Sequence, residues 1–279
     1  MFTPTEKFSK WAVDPWNGSN GGNWDAPVWM CAIEPGGGEA SPSMRPWNSL
    51  GGAGIAPAWT DANVARYRTS AQAGNKQSRH LLTVAQLMMA VEAASANGPS
   101  GERSPTAYID RRLFRGSGAI FHLNLFPLSF KDSGPQRWTR EFQGATGFPL
   151  RKAYEVWCMQ HRFPALREAV VRRNPPVLLC CGTQLAVEFK LAFLGPDRCH
   201  EPGRLQQLST VPDSGLSPKR KPKNNVATLH PMPGTNTTLV LTPFLGQGGV
   251  MSNGDIARVA SIVSSLMGPE GSSGHAVPA

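Results

Sequence analysis

The chain has 279 residues, enough for one large α/β domain with a substantial core, or for two small ones. Its 28 Lys and Arg against 19 Asp and Glu leave a formal charge of +9, which favours a polyanionic partner such as nucleic acid. No apolar run is long enough to span a bilayer, the polar start MFTPTEKFSKW is not that of a secretory signal, and five cysteines make an odd number for a disulfide framework. The expectation is a cytoplasmic protein with reduced thiols and no membrane partner. The pairs Cys158–His161 and Cys199-His200 have metal-ligand spacing, but neither completes a set of four ligands, so no metal or organic cofactor is expected.

In chain order, residues 1–25 are rich in Asn, Gly and Trp and read as an irregular arm, with Phe2, Phe8, Trp11 and Trp16 as packing residues. Residues 28–33 (VWMCAI) form a short apolar run suited to a buried strand, ending abruptly at Glu34-Pro35 and three glycines. Residues 40–75 are punctuated by Gly and Pro and read as loop. Residues 78–96 carry apolar positions at helical spacing, closed by Asn97-Gly98. AIFHLNL, residues 119–125, is a second strand, stopped by Phe126-Pro127. Residues 150–173 are helical with an interruption at Pro164, and lead into PPVLLCCGTQ, a third buried strand ending at Gly182. A helix follows over 183–193.

Residues 202–225 form a polar loop with the basic run KRKPK. VATLHPMP and TTLVLTPFL are two further strands about the turn GTNT. The last helix spans 253–267, with NGD as its start signal, before a flexible tail at 268–279. Near-continuous apolar strands alternating with helices predict an α/β fold. It is a three-layer sandwich whose mainly parallel central sheet is flanked by helices. The main domain would span 26–267, with a loop-rich insertion at about 40–107. In such sheets ligands bind at the carboxyl ends of the strands, where Glu34, Asn124 and Gly246, Gly248 and Gly249 converge.

The order of these motifs resembles the uracil-DNA glycosylase superfamily. VWMCAIEPGG resembles that family's first strand and its Gly-x-(Asp/Asn/Glu)-Pro-(Tyr/Gly) loop, with Ala32 where glycine is usual. IFHLNLFPLSF resembles the second strand, whose asparagine hydrogen-bonds the extruded base; here it is Asn124. FPALREAVVRRNPPVLLCCGTQLAVEF resembles the helix–strand–helix block that follows. For the family's final His-Pro-Ser loop two segments compete: HPMP at His230 matches by spelling, and TPFLGQGG at 242–249 by place. Place is favoured, which leaves Phe244 near the usual position of the histidine.

The resemblance implies a monofunctional DNA glycosylase, a monomer acting on double- or single-stranded DNA. Breaking an N-glycosidic bond builds positive charge on the sugar and negative charge on the base. Glu34 would stabilise the first or orient a water. Asn124 would read the base, and either half-turn of its amide suits a pyrimidine edge, cytosine-like or uracil-like. Ile33, Pro35, Gly36, Gly37, His122, Phe126 and Phe244 would line the pocket, with Trp47 stacking on the base. Gly36, where the strict uracil branch has a tyrosine, leaves room for a substituent at carbon 5 of the pyrimidine.

His230 would assist at the base or be bonded into the structure, and His122 is a pocket or a core residue. Lys219, Arg220 and Lys221 would meet phosphates or simply solvent. Leu245, Gly246, Gln247, Gly248 and Gly249 would enter the duplex, with Leu245 or Met251 as a wedge. The base expected is a 5-modified pyrimidine, such as hydroxymethylated or glucosylated cytosine of phage DNA, in phage defence or repair. Ordinary uracil excision and a catalytically silent nucleic-acid reader are the alternatives.

Overall fold

The structure is a computed structural model and describes residues 3–34, 58–72, 76–95, 101–128, 138–208, 225–243, 245 and 251–268. Its strands are β1 (Gly21–Gly22), β2 (Val28–Ala32), β3 (Ile120–Asn124), β4 (Val177–Cys181), β5 (Arg204–Gln207), β6 (Val226–Pro231) and β7 (Thr238–Thr242). They form one sheet of order β1-β3-β2-β4-β7-β6-β5. The central four, β3-β2-β4-β7, are parallel, with Ala32 opposite Asn124, Cys31 opposite Cys180 and Cys181 opposite Thr242. The outer strands β1, β6 and β5 each pair antiparallel with their inner neighbour.

Period-two alternation sends the two faces of the buried strands into two cores. Trp29, Cys31, Phe121, Leu123, Leu178, Cys180, Leu239 and Leu241 pack beneath helices α1 (Glu6–Val13), α5 (Arg140–Thr146), α6 (Arg151–Arg173) and α7 (Ala186–Phe193). Val28, Met30, Ile120, Val177, Leu179, Cys181 and Val240 pack beneath α3 (Lys76–Ala94), α4 (Pro105–Arg111) and α8 (Asn253–Met267). The result is a three-layer α/β sandwich around a mixed seven-stranded sheet with a parallel centre. Helix α8 begins with a capping box: the Ser252 hydroxyl accepts from Asp255 N–H and the Asp255 carboxylate takes the Ser252 N–H.

Several elements differ from expectation, among them β1, a strand of the sheet within the stretch read as an irregular arm. Residues 6–13 of the arm are helical, because Phe8, Trp11 and Ala12 lie three and four apart and bury together under α6. Asp61–Gln72 forms helix α2, inside a stretch read as loop. Helix α6 runs through Pro164 without a break. Proline removes one backbone donor there, but Phe163, Leu166 and Val170 are fully buried against the sheet on both sides of it. β5 arises within the polar segment 202–225, as an edge strand with mostly exposed side chains.

The arm is fastened by Arg162, a fully buried arginine in the middle of α6. Its Nε donates to the Leu125 carbonyl (2.9 Å), Nη1 to Ala12 (2.8 Å) and Asp14 (2.7 Å), and Nη2 to Pro15 (3.2 Å), Asn17 (2.8 Å) and Asn124 (3.0 Å). All five N–H donors of the guanidinium can be satisfied this way. Burial lowers the pKa of Arg162 from its usual value. Arg151, Arg162 and Arg173 follow one another at intervals of eleven residues, about three turns, and so lie along one face of α6. Arg173 completes the row by pairing with Asp25 (3.0 Å) and stacking over Trp24 (4.5 Å).

Replacing Arg162 by methionine leaves these buried carbonyls without their donor. The expected loss of stability is about 3–5 kcal/mol, read as a lower urea midpoint at unchanged slope. A loss below about 1 kcal/mol would show that the arm is held by apolar packing alone.

Candidate functional site

The carboxyl ends of β2, β3, β4 and β7 lie side by side, and the residues that follow them form the edge at which α/β sheets bind ligands. Pairing of β2 with β3 continues beyond the strands, with Leu125 N–H donating to Ala32 O (3.0 Å) and Phe126 N–H to Ile33 O (2.9 Å). Glu34 is the next residue. Its carboxylate is turned towards the first turn of α6, where Arg151 Nη2 donates to Oε2 at 3.0 Å. Arg151 Nε in turn donates to Glu155 (2.9 Å), and the Glu34 and Arg151 side chains are only 16% and 11% exposed. A charge-assisted bond so shielded fixes the direction of the carboxylate. Beside it, Tyr154 is buried and its hydroxyl accepts from Leu128 N–H (3.2 Å). Burial pushes that hydroxyl's pKa upwards, and Glu34 adds to the effect.

Asn124 ends β3 directly opposite Ala32, fully buried. Its Nδ2 donates to the Gly18 carbonyl at 2.5 Å, while Oδ1, equally buried, has no hydrogen-bond partner among the described residues. Gly18 has φ +76°, and a Cβ there would fall 2.4 Å from the Pro127 carbonyl oxygen, so the close approach admits only glycine. His122 lies two residues before Asn124 on the same face of β3, as alternation predicts, with its ring against Phe114 (5.3 Å). Its Nδ1 accepts from Asn20 N–H at 3.4 Å, which places the proton on Nε2. Burial first, and nearby His80 second, depress its pKa to about 3.

His80, from α3, points its Nδ1 at the Leu245 carbonyl (2.7 Å), so this nitrogen carries the proton. Burial lowers its pKa as well. The sheet edge therefore carries a charged pair against α6 on one side and two neutral imidazoles with an amide on the other.

Several sequence-derived assignments are not brought to this edge. His230 lies in β6 opposite Leu239, near the amino end of β7, and so at the far end of the sheet from Glu34 and Asn124. There its Nε2 meets the Thr228 hydroxyl at 3.2 Å, so His230 is bonded into the structure away from Asn124 and does not assist at the base. Leu245 is completely buried in the core beneath α3 and α8, with its carbonyl bound to His80, and is not a surface wedge. Met251 packs on the same core. Phe126 is buried against Tyr154 and Phe163, on the α6 side of the sheet, and Ile33 packs on that cluster. Neither side chain faces the layer of Asn124. Phe8, Trp11 and Trp16 are core residues, as expected.

Pro35, Gly36, Gly37, Trp47, Lys219, Arg220, Lys221, Phe244, Gly246, Gln247, Gly248 and Gly249 lie outside the described residues. Arg151, His80, Gly18 and Arg162, which the sequence did not single out, are what hold the edge in place. Among the described residues no group of three or more His, Cys, Asp or Glu side chains is arranged to bind a metal. No described helix is long and apolar enough to cross a membrane. No family model, curated protein or solved structure matches this chain.

Two measurements check this geometry. In a double-mutant cycle of Glu34→Gln and Arg151→Met, the coupling in folding free energy should be about 1–2 kcal/mol, between exposed and fully buried pairs. A coupling near zero would show that Arg151 does not hold the carboxylate. The second concerns His122, whose pKa is depressed on folding, so the unfolded chain takes up its proton first as pH falls. Its contribution is complete above about pH 6.5 and is lost as pH drops towards 3. His122→Gln should therefore lose less of its melting temperature than the wild type between pH 6.5 and 4. Parallel losses would contradict a neutral, buried imidazole.

Proposed function

We propose that this protein is a monofunctional DNA glycosylase that flips out a pyrimidine and hydrolyses its N-glycosidic bond, leaving an abasic site. The observation that carries the reading is the placement of Glu34 and Asn124. A carboxylate and a buried amide follow neighbouring, registered parallel strands at one edge of the sheet. That is the separation of roles the reaction needs, one group for the sugar and the water, another for the base.

In the reaction the bond between sugar C1′ and the base nitrogen breaks, and its electron pair leaves with the base. Water oxygen bonds to C1′, Glu34 accepts the proton that water gives up, and the base anion takes up a proton from solvent. Asn124 holds the base while this happens, and the neutral imidazole of His122 lies in the same layer. Arg151 keeps the Glu34 carboxylate aligned between turnovers. No lysine stands among the strand-end residues to form a Schiff base, so strand cleavage is not part of the activity. The chain's +9 charge suits a DNA partner.

Glycine at position 36, where the strict uracil branch has a tyrosine, favours a 5-modified pyrimidine, such as hydroxymethylated or glucosylated cytosine, and with it a role in defence against phage. Ordinary uracil repair uses the same machinery. A silent nucleic-acid reader gains support from one observation: Glu34 is engaged by Arg151 rather than free to meet a water.

Abasic-site formation, read by alkaline strand scission, separates these. Matched DNAs carry cytosine, uracil, 5-hydroxymethylcytosine or its glucosylated form. Cleavage of a modified base, reduced about 10²–10⁴-fold in Glu34→Gln with binding retained, is the expected result. Cleavage of uracil alone would make the protein a repair enzyme. Tight binding without scission on any DNA would make it a reader.

A further inference from the structure

Taken as a sequence, Asn124 is ambiguous, because an amide turned by half a revolution exchanges its donor and acceptor. The fold removes that freedom. The carbonyl of Gly18 can only accept a hydrogen bond, and it lies 2.5 Å from the amide nitrogen. The flipped amide would set two acceptor oxygens against each other at hydrogen-bond distance with no proton between them. Gly18 cannot drift away to relieve this. Its backbone is wedged against Pro127, and the preceding carbonyls of Asp14, Pro15 and Asn17 are held by Arg162. Arg162 also holds the backbone carbonyl of Asn124. Arm and strand end are thereby tied to one guanidinium, and the orientation of the amide is built in.

What remains is Oδ1, fully buried and with no partner among the described residues. A buried acceptor left unpaired is costly, and such a group in a folded protein calls for a reason. We infer that the N-terminal arm is the specificity-determining part of the site: the Gly18 carbonyl locks Asn124 so that it presents its oxygen, and the base it accepts must bring an N–H donor. Asn124 is the group that would touch the base, while Gly18 and Arg162 are positioning residues. The inference rests on the glycosylase reading for the identity of its ligand, but not for the lock itself. Two pyrimidine groups supply such a donor, the exocyclic amine of a cytosine type and the ring N–H of a uracil type.

The lock is tested without any activity. In Asn124→Asp the ionised carboxylate offers only acceptors to Gly18. The protonated acid donates to Gly18 and presents its other oxygen, reproducing the asparagine. Burial beside a carbonyl oxygen raises the folded-state pKa of this acid above the unfolded value of about 3.9. The variant's stability therefore falls as pH rises through that interval.

The charged and titratable groups on the elements that meet at this end of the sheet are His122 on β3, His80 on α3, Arg162 on α6, Asp14 in the arm and Glu34 beyond β2. Their own titrations are common to both proteins, so the wild type is the reference at each pH. The Arg162 guanidinium favours the ionised acid and narrows the rise that burial and the Gly18 oxygen impose. Asn124→Asp should melt several degrees below the wild type at pH 8, with the gap closing towards pH 5. Asn124→Ala should keep a gap that does not close. An Asp variant that matches the wild type at pH 8, or lags by the same amount at both pH values, overturns the lock.

The donor requirement is tested on the wild-type protein, which also serves if the Asp variant does not fold. Binding by fluorescence anisotropy is compared for four DNAs. Two carry 5-hydroxymethylcytosine or its N4,N4-dimethyl analogue, and two carry uracil or 3-methyluracil. Removing the N–H should weaken binding at least tenfold for whichever parent base is taken, and that parent identifies the donor. Equal binding of parent and alkylated base overturns the inference even where abasic sites form. Binding that depends on the N–H without any scission upholds it while the glycosylase reading fails. No binding to any of the four sinks that reading and the donor requirement together, leaving the pH-dependent melts to decide the lock.

Discussion

The structure depends on a buried positive charge. Arg162 sits in the middle of the longest described helix without a carboxylate bonded to it among the described residues, and its charge is met by backbone dipoles from two distant parts of the chain. Taking a guanidinium out of water is costly, and the cost is offset only when every N–H finds an oxygen in the right direction. That requirement is geometric rather than merely apolar. It dictates where residues 12–17 must run and where β3 must stop, and so it joins an arm that could have been a loose extension to the strand carrying Asn124.

A second consequence is the division of labour across the sheet. Glu34 is steered towards α6, in the layer where Arg151 supplies charge, whereas Asn124 and His122 belong to the layer of α3, α4 and α8, where burial suppresses charge. One edge of one sheet thus offers an ionised group and a set of neutral donors and acceptors without either disturbing the other. His80 extends the neutral side by tying α3 to the segment after β7.

Much of the scaffold is legible in the sequence. β2, β3, β4 and β7 are short apolar runs with abrupt stops, and α8 begins at an unmistakable cap. The strand-end positions of Glu34 and Asn124 are readable because the apolar runs stop there. Partners are not readable. Arg151, Gly18 and His80 reach their contacts across 117, 106 and 165 residues, and nothing near them in the chain marks the meeting. Of the two readings open for His230, the structure realises the bonded one: a motif's spelling says nothing about strand direction, and antiparallel β6 carries this histidine to the end of the sheet away from Glu34 and Asn124. Leu245 was misjudged because a glycine-rich loop reads as exposed, whereas this leucine is drawn beneath α3. Pro164 was given too much weight, because the packed core on both sides of it outweighs one missing donor.

The row of arginines along α6 makes that helix a ruler. Arg151, Arg162 and Arg173 reach, in turn, the carboxylate after β2, the arm with the end of β3, and the Trp24–Asp25 corner. Each residue added or removed between two of them would rotate the later ones by about 100° and shift them by about 1.5 Å. Exposed side chains along α6 can therefore be exchanged one at a time, but its length between the first and last arginine is fixed. A family of related chains would vary freely in the loops at either end and keep the count of residues from 151 to 173.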